Sequence, residues 1–86
     1  MHTIELLETA IGIAESLGYR IRHEWLGGTG GGACEFGGRK WIFVDLALNV
    51  GEQLEQVVAA LRSEPAIHTV DVPRDLRRFL DLRHAA

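Results

Sequence analysis

Apolar residues open the chain at helical spacing: Ile4, Leu7, Ile11, Ala14 and Leu17 form one stripe, widened by Leu6, Ala10 and Ile13. That period predicts an amphipathic helix from Thr3 to Leu17. Thr3 reads as the N-cap, Glu5 and Glu8 complement the positive end of the helix, and Gly18 supplies the left-handed stop. The period then falls to two. Tyr19, Ile21, His23 and Trp25 alternate with Arg20, Arg22 and Glu24, which predicts a half-buried strand over Tyr19 to Leu26. Gly27-Gly28-Thr29-Gly30-Gly31-Gly32 has almost no side chain to bury and reads as a loop, either a flexible connection or a close backbone crossing.

Ala33 to Phe36 and Arg39 to Leu46 flank Gly37-Gly38, a pair suited to a type I′ hairpin turn, in which both positions take positive φ. The turn sets a register with Phe36 opposite Arg39, Glu35 opposite Lys40, Cys34 opposite Trp41 and Ala33 opposite Ile42. Glu35 and Lys40 are therefore expected to pair as ions across the strands. Ile42, Val44 and Leu46 share one face with Ala33, and Cys34, Phe36, Trp41 and Phe43 share the other. Both faces are apolar, so helices on one side leave an aromatic face that needs a cover.

Asn49 followed by Glu52 predicts a capping box, and Leu54, Val57, Val58 and Leu61 predict a second amphipathic helix that Pro65 terminates. Ile67 to Val72 reads as a short strand or extended linker. Pro73 fits the first turn of a last helix carrying Leu76, Phe79 and Leu80. The expected fold is a single α+β domain over residues 1–86, with a three-stranded antiparallel sheet, a strand followed by a hairpin, and helices packed on it. Its order is α-β-β-β-α, a short extended segment, then α.

Composition narrows the function classes. With 86 residues, 47% of them hydrophobic and 24% charged, the chain has enough apolar content for one core and too little length for a second. The net charge of −3 opposes general attraction to nucleic acid phosphates. Arg74, Arg77, Arg78 and Arg83 interleave with Asp75 and Asp81, which reads as a solvated helix face. No apolar run approaches the ~18 residues of a membrane span. Cys34 is the single cysteine, so no internal disulfide is expected; with no signal-like N-terminus, the expected location is cytoplasmic.

Each candidate chemical motif meets an obstacle. Gly28-Thr29-Gly30-Gly31-Gly32-Ala33 has the spelling of a dinucleotide fingerprint, but the expected hairpin follows it where that motif needs a helix N-terminus. A milder reading makes Gly30, Gly31 and Gly32 with Arg39, joined by Arg22, a backbone anion or small-ligand site on the Gly27-Gly32 loop. Cys34 and Arg39 are one residue short of the phosphatase spacing, and Glu35 disfavours a thiolate. His2, His23, His68 and His84 show no i, i+4 pair. No catalytic residue, metal ligand or cofactor is assigned.

Leu17-Gly18-Tyr19 through Leu61, with Gly32-Ala33, Gly38 and Trp41-Ile42-Phe43-Val44, resembles the core of zincin-like peptidases of the ImmA/IrrE kind. The resemblance implies a helix, a strand, a hairpin and a helix in that order. In that family the last helix carries H-E-x-x-H, whereas Glu52 to Leu61 contains no histidine, so no metal site carries over. Gly30-Gly31-Gly32-Ala33-Cys34, Gly37-Gly38-Arg39-Lys40 and Val44-Asp45-Leu46 also look like small bacterial proteins of similar length without an assigned activity.

The leading expectation is a non-enzymatic domain that uses Trp41, Phe43, Phe36 and Cys34, extended by Trp25, to form a homodimer or bind another protein. In the competing arrangement the last helix covers that face. The remaining alternatives are the ligand or anion module on the glycine loop and a degenerate zincin-like or thiol-dependent hydrolase using Cys34 or His23. Neither nucleic acid nor membrane is an expected partner.

Overall fold

The computed structural model describes residues 1–80; Asp81, Arg83 and His84, named above, lie outside the described residues. The elements are α1 (Thr3–Ser16), β1 (Tyr19–Glu24), β2 (Gly32–Phe36), β3 (Arg39–Asp45), α2 (Val50–Arg62), a 3₁₀ turn (Pro65–Thr69) and α3 (Arg74–Leu80). Helix α1 starts one residue earlier than its spelling suggests. His2 takes the N-cap position, and its backbone N–H donates to Glu5 Oε1 at 3.1 Å. The capping box of α2 forms as expected: Asn49 Oδ1 accepts from the Glu52 N–H at 2.8 Å, and Glu52 Oε1 accepts from the Asn49 N–H at 3.1 Å.

The hairpin register is as expected: Phe36 pairs with Arg39, Glu35 with Lys40, Cys34 with Trp41 and Ala33 with Ile42. Gly37 and Gly38 have φ of 59° and 77°, the positive pair that a type I′ turn requires. The sheet, however, is mixed. Its strand order is β1-β3-β2, and β1 runs parallel to β3, with Tyr19 beside Lys40 and Glu24 beside Asp45. The antiparallel expectation therefore holds for β2 and β3 alone. Alternation along β1 sets which side chains share a face and carries nothing about which strand lies alongside.

The physical reason for the parallel pair lies in the glycine-rich connection, which passes over the end of β3 to put β2 on the far edge. Asp45, the last residue of β3, is fully buried there. Its carboxylate accepts backbone N–H groups from Leu26 at 3.0 Å, Gly28 at 2.7 Å and Ala47 at 2.9 Å. Gln56 of α2 completes the tie: its Oε1 accepts from the Asp45 N–H at 2.8 Å and its Nε2 donates to the Gly30 carbonyl at 2.9 Å. Gly31, at φ 102°, passes so close to β3 that a Cβ there would lie 2.8 Å from the Phe43 carbonyl oxygen and against the Gln56 amide. The loop is thus the close crossing, held by side chains whose own polar groups it satisfies.

Helices α1 and α2 pack on one face of the sheet, α1 over β1 and α2 over β2 and β3. The core draws Leu6, Leu7, Ala10 and Ala14 from α1, Ile42 and Val44 from β3, and Leu54, Val57, Val58 and Leu61 from α2. Ile67, Val72, Leu76 and Leu80 close it from the C-terminal side. Helix α3 packs against α1 and α2 and touches no strand. Two local expectations change. The segment read as extended over Ile67 to Val72 begins as a 3₁₀ turn, started by Pro65 and capped by Glu64, whose side chain accepts the Ala66 N–H at 3.0 Å. Lys40 pairs not with Glu35 but with Glu64, at 2.7 Å, while also donating to the Leu17 carbonyl at 2.9 Å. That site supplies two oxygens at once, and Tyr19 adds a hydroxyl donor to Glu64 at 3.3 Å.

Candidate functional site: the open face of the sheet

The register fixes the contents of the uncovered face. Ile42 and Val44 point into the core, so Trp41 and Phe43 point away from it, joined by their cross-strand neighbours Cys34 and Gly32 on β2 and Arg20 and Arg22 on β1. Trp41 and Phe43 stack with centroids 6.1 Å apart and planes 21° apart. The Arg20 guanidinium lies 5.8 Å from the Trp41 ring centroid, within range of a cation–π contact. Arg22 is held by Glu24 at 3.1 Å. Phe36, opposite Arg39, is 72% exposed, and Cys34 is exposed beside Trp41. Trp41 Nε1 is shielded from water and has no acceptor among the described residues.

Four of the five candidate interface residues, Cys34, Phe36, Trp41 and Phe43, therefore lie together on this face. Trp25 stands apart. It follows β1 outside the strand, 75% exposed, and its ring does not stack on Trp41 or Phe43. Among the described residues the last helix does not cover the aromatics, because α3 packs against α1 and α2.

The glycine-loop candidates are placed differently. Gly30, Gly31 and Gly32 lie at the Asp45 end of the hairpin, whereas Arg39 lies beside the turn at the other end. Four strand steps separate Gly32 from Phe36, about 13 Å at ~3.3 Å per residue. Of the loop's own donors, the N–H groups of Gly28 and Gly30 are engaged by a carboxylate of the chain itself. Burial pushes the Asp45 pKa up, but the N–H groups of Ala47, Leu26, Gly28 and Gly30 outweigh it and hold the carboxyl below its ordinary value. Arg22, on the open face with Glu24, is likewise occupied.

Sequence reasoning missed Asp45 and Gln56, which organise the crossing, and Arg20, which lies over Trp41. The available signal was the polar alternation of Arg20 and Arg22, which marks the same side as the aromatics only once β1 is known to lie parallel to β3. Among the described residues no three His, Cys, Asp or Glu side chains converge as a metal site, and no helix is long and apolar enough to cross a membrane. No family model, curated protein or solved structure matches the chain.

Proposed function

We propose that this chain is a non-enzymatic protein-interaction domain whose working surface is the open face of the sheet. The observation that carries the reading is the stacked Trp41–Phe43 pair, flanked by exposed Phe36 and Cys34, on a face that no helix among the described residues covers. Aromatic side chains with an arginine alongside are what binding hot spots are made of, because they bring large rigid area at little entropic cost. The opposite face already has its cover, so this one is free to dock.

A photo-reactive phenylalanine analogue introduced at Phe43 and, as a control, at exposed Glu8 of α1 tests the reading in the source cell. The expected result is a discrete protein adduct from position 43 that Trp41→Glu abolishes while circular dichroism reports an intact fold. Position 43 giving no adduct beyond that of position 8 sinks the proposal.

A further inference from the structure

We infer that a second copy of the chain pairs with this one antiparallel along the β2 edge of the sheet, with Cys34 at the two-fold axis. The inference rests on the interaction reading above and adds to it a second copy that doubles the open face. In a two-residue hairpin the residues flanking the turn form a hydrogen-bonded pair, and such pairs alternate along the ladder. Phe36 and Cys34 thus direct their backbone groups at β3, while Ala33 and Glu35 direct theirs outward from the sheet.

That outward edge is bare. Ala33, Cys34, Glu35 and Phe36 are all exposed, and the strand has no proline and a single charged residue, the devices that usually blunt an edge. The β1 edge, with Arg20, Arg22 and Glu24, is charged by comparison.

One register makes the β2 edge self-complementary. With Cys34 opposite the partner's Cys34, Ala33 and Glu35 exchange backbone hydrogen bonds with the partner's Glu35 and the partner's Ala33. Phe36 then lies opposite the partner's Gly32. The space over Gly32 is open, with nothing within 4 Å of a Cβ built there, and the neighbour of Gly32 across the strand is Phe43. Each copy thereby places its most exposed sheet aromatic over the other's glycine and against the other's stacked pair. A two-fold axis normal to the sheet keeps the helices of both copies on the same side and gives six continuous strands with one aromatic face.

Cys34 serves as the reporter. Opposed residues in a non-hydrogen-bonded pair have Cα atoms about 4.5 Å apart, within disulfide range. Diamide removes two electrons and two protons from the two thiols, forming the S–S bond and being reduced to the hydrazine. Thiols held face to face have an effective concentration of about millimolar or more. At ~10 µM protein they should therefore link on the order of 100-fold faster than collision allows.

The experiment is native mass spectrometry of the reduced protein with timed diamide oxidation on non-reducing gels. The control is Cys34→Ser combined with Glu8→Cys. A dimer whose Cys34 links this much faster than the control is expected, and Glu35→Pro should abolish both signals, since proline there removes only an outward N–H. If Glu35→Pro fails to fold by circular dichroism, the wild-type linking rate decides alone. A monomer throughout, a dimer linking no faster than the control, or a folded Glu35→Pro dimer overturns the inference. A monomer that still gives an adduct from position 43 to a different protein would overturn it while leaving the interaction reading intact; a monomer with no specific adduct removes both.

Discussion

The tightness of the loop crossing can be measured by giving three glycines a methyl group. Gly31→Ala must hold φ near 102°, in a region alanine avoids, and its Cβ meets the Phe43 carbonyl oxygen at 2.8 Å. That oxygen belongs to the central strand and cannot retreat without disturbing the ladder. Backbone strain of this kind costs about 1–3 kcal/mol, and the contact raises the expected total to about 2–4 kcal/mol. Gly27→Ala shares the positive φ, 76°, but meets nothing within 4 Å, so it should lose only about 1–2 kcal/mol. Gly12→Ala, mid-helix in α1 and likewise unobstructed, should gain about 0.5–1 kcal/mol. For a chain of this size 1 kcal/mol moves Tm by about 4–8 °C, so thermal melts followed by circular dichroism resolve all three. The decisive comparison is between the two loop variants. If Gly31→Ala melts no lower than Gly27→Ala, the loop does not press against β3 and the account of the crossing is wrong.

Gln56→Ala removes both hydrogen bonds that tie α2 to β3 and to the loop, and a loss of about 1–3 kcal/mol in urea unfolding is expected; an unchanged midpoint would mean that Asp45 alone holds the crossing. Leu61, fully buried among the helices, should cost about 2–5 kcal/mol as Leu61→Ala. Glu64 titrates below its ordinary 4.5 because Lys40 and the Ala66 N–H favour its charged form. Its contribution is present above that pH and is lost as pH falls through the lower folded value. Lys40, raised above 10.5 chiefly by its bond to Glu64, contributes in full below that pH and loses its share as pH rises through the folded value. Glu64→Gln should therefore flatten both the acid and the alkaline decline of Tm, and unchanged slopes would show the pair to be inert.

The hairpin was legible because Gly37-Gly38 allows few turns, and a two-residue turn settles every pair along the ladder. The helices were legible because their apolar stripes and caps agree. Strand order was not, since the period-two pattern of Tyr19 to Glu24 is the same whether its neighbour runs up or down. The partner of Lys40 was missed for a related reason. Glu35 is its ladder neighbour, but Glu64, 24 positions away, is brought to it by the end of α2. The aromatic grouping of Cys34, Phe36, Trp41 and Phe43 was visible, because it depends only on hairpin register and alternation. Trp25 could not be placed in the same way, because it follows β1 outside the strand, where Leu26 already turns toward Asp45.

The tie at Asp45 also orders events in time. The β2–β3 hairpin closes over two residues and belongs to the microsecond class of local structures, whereas β1 meets β3 only across a separation of 21 residues, from Tyr19 to Lys40. Until β1 docks, Leu26 and Gly28 are not presented to Asp45, and its carboxylate keeps its water. The pairing of β1 with β3 therefore brings the donors that allow that carboxylate to be sealed off, which ties burial of Asp45 to closure of the sheet.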